Sequence, residues 1–197
     1  MVSKIGPGLV ALVGILDADS EPQMDYIIKK TLHLKLWPSE DGKPWTRSCL
    51  DMGYEVLVVS QFTLPICFKK GSLTSNNANR PDFHFSMAPA PAELMYERML
   101  EQYRTEYSPD KVLAGTFAAM MEVSLVNDGP VTIPLGSSQP LLKAPAGWSF
   151  WAQINQLDVK KAIHVFGDSK IANNVPEILN LGLKSLQSDC NANSPID

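Results

Sequence analysis

Strand-like apolar runs interleaved with two helical stripes predict an α/β protein, a single layered domain followed by a C-terminal extension. Three observations carry this: the unbroken apolar run Leu9 to Leu16, the helical spacing of Met24, Ile27, Ile28 and Leu32, and the alternation of Met121, Val123 and Leu125 with Glu122 and Ser124. With 197 residues and 45% apolar composition, the chain has enough material for one well-buried core.

Taken in order, Gly6-Pro7-Gly8 is a turn, and Leu9 to Leu16 behind it fits a buried strand. A helix follows, capped by Asp19 or Ser20, with Pro22 in its first turn. Pro38 to Pro44 is again a turn, and Tyr54 to Thr63 is a β-branched strand with a polar end. Ala90 to Tyr107 carries a second helical stripe through Leu94, Met99, Leu100 and Tyr103, starting near Pro89 and Pro91 and stopping before Ser108-Pro109. Phe117 to Val126 reads as a strand, and Asn127 to Thr132 as a turn leading into Val131 to Leu135. The character then changes. Residues 136–197 open with a linker-like Gly136 to Pro140, contain the aromatic residues Trp148, Phe150 and Trp151, and offer one helix at Asn174 to Gln187; they read as either a folded or a partly disordered appendage.

Composition narrows the function classes. The net charge of −4 does not advertise a phosphate-binding surface, although Lys69, Lys70 and Arg80 bracket a polar loop at Gly71 to Asn79 that offers a local basic patch. No apolar run approaches the roughly 18 residues of a membrane span, and the first residues lack the pattern of a signal peptide, so a soluble, cytoplasmic protein with no membrane partner is expected. Cys49, Cys67 and Cys190 share no paired spacing, which argues against both a disulfide framework and a zinc site. His33, His84 and His164 likewise have no partner at a ligand-like spacing, so neither a metal nor a cofactor is expected. GxSxG, HExxH and GxxxxGK[ST] motifs are missing, and nothing in the sequence favours a triad assembled from Ser60 and His84.

Two segments remain that put polar groups where apolar strands stop. Ser60-Gln61-Phe62-Thr63 ends the β-branched run, and its backbone N–H groups are placed to act as an oxyanion hole. Asn127-Asp128-Gly129-Pro130-Val131-Thr132 holds a Gly-Pro step whose carbonyls suit a ligand ammonium and whose bond admits a cis form. Read without a family, both are equally well the polar end of a strand and a rigid hairpin.

Together, Ser60-Gln61-Phe62-Thr63-Leu64 and Asn127 to Thr132 resemble the motifs of the D-aminoacyl-tRNA deacylases, also known as D-tyrosyl-tRNA deacylases. The resemblance runs from about Ile5 to Leu135. It takes in Ile5-Gly6-Pro7-Gly8, Asp41-Gly42-Lys43, Ser48 to Asp51, Arg80-Pro81-Asp82-Phe83, Tyr96-Glu97-Arg98 and Met121 to Thr132. It implies a deacylase domain at 1–135, with a mixed, barrel-like sheet and two main helices, and leaves 136–197 as an extension. It also implies an N-terminal strand, and part of a second, that this sequence does not contain. Ser72 to Ala78 stand as an insertion, and Ala118 and Met120 replace the family's usual glycine and polar or aromatic residue.

The implied function is proofreading in translation: hydrolysis of the ester of D-aminoacyl-tRNA, and of mischarged glycyl-tRNA, to free amino acid and tRNA. The implied homodimer builds each site from Ser60, Gln61, Phe62 and Thr63 of one subunit and Gly129 and Pro130 of the other, with Asn127, Thr132 and Met121 in support and Lys69, Lys70 and Arg80 as tRNA contacts. Ser60 and Val131 match the chirality-checking branch, which implies a cis Gly129–Pro130 bond; a sister family has Pro in place of the Ser and a trans bond. Thr63 is a candidate nucleophile by resemblance, the alternative being oriented amides assisted by the adenosine 2′-hydroxyl. The rival reading is a catalytically impaired tRNA- or nucleic-acid-binding paralogue that keeps the fold.

Overall fold

The apolar run behind Gly6-Pro7-Gly8 forms the strand around which the molecule is organised. The computed structural model describes residues 1–68 and 80–137, together with the backbone of two strands at 151–157 and 163–167. Strands β1 (Ser3–Ile5) and β2 (Gly8–Gly14) lead into helix α1 (Glu21–His33); a one-turn helix α2 (Cys49–Met52) precedes β3 (Glu55–Ser60). The short pair β4 (Cys67–Phe68) and β5 (Pro81–Asp82) is followed by α3 (Pro89–Glu106), β6 (Val112–Ala114), β7 (Met121–Ser124) and β8 (Asn127–Gly136). Strands β9 (Trp151–Leu157) and β10 (Ile163–Gly167) come last.

Five strands form one sheet in the order β6-β3-β2-β9-β8, and three form another in the order β1-β10-β7. β2, β3 and β6 run parallel, with Val13 opposite Ser60, whereas β9 runs antiparallel to both β2 and β8. Because side chains alternate along a strand, β2 and β3 feed two cores. Leu9, Ala11, Val13, Val56 and Val58 face the helices, packing with Ile27, Ile28 and Leu32 of α1 and Tyr96, Met99 and Tyr103 of α3. Val10, Leu57 and Val59 face the other way and join Ile5, Leu12, Leu113, Met121 and Val123 between the two sheets. Each such fully buried aliphatic side chain is worth about 1.5–3 kcal/mol of transfer free energy. The result is the expected α/β class with two main helices, and the two sheets enclose an apolar interior.

Local chemistry explains the element ends. Of the two candidate caps, Ser20 is the N-cap of α1: its N–H donates to Gln23 Oε1 at 3.2 Å. Asp19 is buried instead and accepts the Leu16 N–H at 2.8 Å. On α3 the buried stripe is Ala92, Tyr96, Met99, Leu100 and Tyr103, and Leu94 faces solvent at 60% exposure. Leu94 lies about half a turn from that line, so apolar character alone misplaced it. α2 was not expected; Ser48 accepts the Asp51 N–H, Asp51 accepts the Ser48 N–H, and Gly53 closes the turn at φ 63°.

Three boundaries are corrected. The strand expected to reach Thr63 stops at Ser60, because Gln61 to Pro65 turn away. Phe117 to Val126 is not one strand: residues 117–118 form a turn with Ala118 at φ 54°, and β7 spans only Met121–Ser124. Asn127 to Thr132 is not a hairpin but an irregularity within β8, whose register against β9 shifts between Asn127 and Thr132. The helix expected at 174–187, Trp148 and Phe150 fall outside the described residues, as do Lys69 and Lys70. Among the described residues, no helix is long and apolar enough to cross a membrane.

Candidate functional site

At the end of β3 the parallel ladder runs one step past Ser60, where Gln61 donates its N–H to the Val13 carbonyl at 2.7 Å. The chain then folds back across β2, a close approach that Gly14 makes possible: a Cβ there would lie 2.9 Å from Pro65 Cδ and 3.0 Å from Leu64 Cβ. Ser86 clamps the turn from outside, its hydroxyl donating to the Phe62 carbonyl at 2.8 Å. The Phe62 ring, 62% exposed, meets Phe83 edge-on at 5.3 Å.

This turn forms one wall of a cleft of about 580 Å³. Val13, Val59, Ser60, Gln61 and Phe62 line it on one side, Met87, Pro89 and Ala92 at the start of α3 on another, and Phe117 to Met121 close it. Ala118 in that last wall is held in the left-handed region at φ 54°, a conformation that costs a non-glycine residue roughly 1–2 kcal/mol. None of the described lining residues is ionisable; their polar side chains are those of Ser60, Gln61 and Ser86. Tyr96 lies behind the wall, donating its hydroxyl to the Val58 carbonyl at 2.9 Å, and burial pushes its pKa up.

Besides the Ser60 hydroxyl and the Gln61 side chain, the donors at this strand end are main-chain amides. Gln61 N–H is engaged by Val13, which narrows the expected oxyanion hole. Among the described residues, no hydrogen bond uses the Phe62 and Thr63 N–H groups. The Thr63 hydroxyl accepts from Gln61 Nε2 at 2.5 Å, and Thr63 itself is not a lining residue. Such a site can orient and polarise an ester carbonyl, and among the described residues it contains no general base.

The second motif stands elsewhere. Gly129 and Pro130 are exposed and are absent from the cleft lining of their own chain. The Gly129–Pro130 peptide is cis, as the resemblance implies. Gly129 adopts φ 106°, and a Cβ there would lie 2.8 Å from Val131 Cγ2, so this position requires glycine. Asn127 and Thr132 brace the base of the bulge through a 2.9 Å bond from Asn127 Nδ2 to Thr132 Oγ1. Within one chain, then, the cleft gathers Ser60, Gln61, Phe62 and Met121 and leaves Gly129, Pro130, Asn127 and Thr132 outside; Arg80 is exposed.

Residues the sequence did not single out complete the cleft: Ser86 and Met87 lie just before α3, and Phe117 lies in a turn, positions with no periodic signal. His84 does not approach Ser60's cleft. Its Nδ1 is 2.9 Å from Asp82 Oδ1 and 3.7 Å from Cys67 Sγ, and these three ligand-type atoms all lie within 4.8 Å of one another. The β4–β5 pairing brings them together from positions whose spacing shows nothing. None of the three lines the cleft.

Residues 1–136 match the family described as D-Tyr-tRNA(Tyr) deacylase. The chain is 44% identical over 139 residues to D-aminoacyl-tRNA deacylase 1 of Mus musculus and 42% identical to that of Homo sapiens, covering 71% of this chain in both cases. It spans 63% of the length of those two relatives, but 87% of the D-aminoacyl-tRNA deacylase of Dictyostelium discoideum, to which it is 43% identical. A solved structure titled c-Myc DNA Unwinding Element Binding Protein superposes with a TM-score of 0.60 at 41% identity, covering 72% of this chain and 85% of that one. Family match, identity and fold agree over the residues that carry both motifs, and the chain belongs to the D-Tyr-tRNA(Tyr) deacylase family.

Proposed function

We propose that the chain hydrolyses the ester of D-aminoacyl-tRNA, and of mischarged glycyl-tRNA, as a proofreading step in translation. The observation that carries this reading is the cleft at the end of β3, whose described lining residues are uncharged and include Ser60, Gln61 and Phe62. An ester needs its carbonyl polarised and its attacking oxygen positioned; it does not need a protonated leaving amine. Oriented amides aided by the substrate's own 2′-hydroxyl meet that requirement.

In the same reading the protein acts as a homodimer in the cytoplasm. Ser60 and Gln61 seat the terminal adenosine ester, with Phe62 stacking at the rim and Met121 shaping the floor. Gly129 and Pro130 reach the cleft of the other subunit, which accounts for an exposed motif that does not line the Ser60 cleft of its own chain. Their carbonyls take the substrate ammonium. An L side chain would then run into main chain, whereas a D side chain or the hydrogen of glycine points outward. Asn127 and Thr132 hold the bulge, and Lys69, Lys70 and Arg80 meet the tRNA phosphates.

Single-turnover deacylation of matched D- and L-aminoacyl-tRNA tests the reading. Fast release from the D substrate and glycyl-tRNA, with the L substrate intact, is the expected outcome. Equal rates on both enantiomers would remove the role of Gly129 and Pro130, and tight tRNA binding without hydrolysis would overturn the enzymatic assignment.

A further inference from the structure

We propose that residues 151–157, which lie beyond the family match, are an integral strand of the site: β9 sets where the Gly129–Pro130 bulge stands relative to the Ser60–Thr63 strand end. The functional part of this inference rests on the deacylase reading; its structural part does not.

β9 is the strand that joins the two motifs. In the order β6-β3-β2-β9-β8 it separates the strand that anchors the first motif from the strand that carries the second. On one edge, Ala152 lies opposite Val13, the residue whose carbonyl holds the Gln61 N–H. On the other edge, Ala152 lies opposite Leu135, and Asn155 lies opposite Thr132. The next pair along is Leu157 with Asn127. β9 therefore passes from Asn155 to Leu157 while β8 passes from Thr132 all the way to Asn127, and the surplus residues are the bulge that presents Gly129 and Pro130. A bulge is defined by the partner strand it departs from. Among the described residues, no other strand pairs with both β2 and β8. β10 repeats the arrangement in the second sheet, lying between β1 and β7, and β7 begins at Met121 in the cleft wall. A segment that looks like an appendage in sequence thus supplies the ladder linking the ester-holding end of the sheet to the chirality-checking one.

Hydrogen exchange on the full chain, read by mass spectrometry, is the first test. Amides in 151–157 are expected to exchange on the order of 100-fold more slowly than an unstructured peptide; exchange at the unstructured rate would overturn the inference. The second test is Ile154→Pro in the full chain, since each residue of a strand flanked on both sides donates to one neighbour or the other. Protection across 127–136 is expected to be lost, together with about 100-fold of the ratio of D to L turnover. Unchanged protection at 127–136 in this variant would also overturn it. A wild-type chain that protects 151–157 but hydrolyses no aminoacyl-tRNA would sink the deacylase reading and leave the strand assignment standing.

Discussion

Ser60–Thr63 and Asn127–Thr132 both interrupt a regular strand, yet the first is folded into a cleft and the second stands in solvent. The first is tied to its surroundings from two sides, by Val13 to Gln61 and by Ser86 to Phe62, and it opens onto apolar walls. The second is held by its register shift against β9, by the Asn127–Thr132 bond and by a glycine at φ 106°. This difference supports the proposal of a site completed by a second subunit.

The largest expected effect comes from disturbing the exposed half. Gly129→Ala places a Cβ 2.8 Å from Val131 Cγ2 in a backbone region L residues avoid, and a displacement near 1 Å at such a site costs on the order of 100-fold in rate. Turnover of D-aminoacyl-tRNA should fall by that factor while the melting temperature drops by only a few degrees. Near-wild-type turnover would detach Gly129 from the site. On the cleft half, Ser86→Ala removes the clamp on the Phe62 carbonyl; losing about 1 kcal/mol of hydrogen bonding predicts a roughly fivefold slower reaction. The same variant should leave D-over-L selectivity unchanged, and a change in selectivity would blur the division between the halves.

Thr63→Ala should cost threefold or less, because the Thr63 hydroxyl is already bonded to Gln61 and none of the described cleft residues is ionisable. Complete loss of turnover with an intact fold would restore Thr63 as a nucleophile. The smallest effect lies far from both halves, at Asp51. The Lys35 ammonium and the Ser48 amide and hydroxyl hold its carboxyl well below the ordinary value of 3.8. A folded-state pKa that is depressed contributes stability that is full above the ordinary value and is lost as pH falls below it toward the folded value. Wild-type melting temperature should therefore decline from about pH 5 to pH 3 more steeply than that of Asp51→Asn, as thermal melts across this range would show; parallel curves would contradict the assigned linkage.

Much of this molecule was legible in the residues. The strand at β2, the helix capped at Asp19 or Ser20 and the stop at Ser108-Pro109 follow from local rules of burial period, capping and proline geometry, which need only near neighbours. The site was legible in part, since polar residues at a strand end mark the place where a ladder runs out. Leu94 shows the limit: an apolar residue in a helical pattern was assigned to the buried stripe, and only the packing partners of α3 reveal that the stripe passes through Ala92 and Tyr96 instead. Phe117 to Val126 shows another, for alternation was correctly read in Met121 to Ser124 but extended into a turn that Ala118 makes at φ 54°.

By itself, the sequence determined the α/β class, the two main helices, the buried central strand and the two motifs, because each depends on periodicity or on residue chemistry within a few positions. Tertiary structure decided which of those motifs lines a cleft and which does not, brought Ser86, Met87 and Phe117 to the cleft, and set Trp151–Leu157 between β2 and β8. The reason is that cleft walls and sheet neighbours are contacts between residues far apart in the chain. Local patterning constrains which residues seek burial or pairing, and only the assembled fold determines which distant partner each one meets.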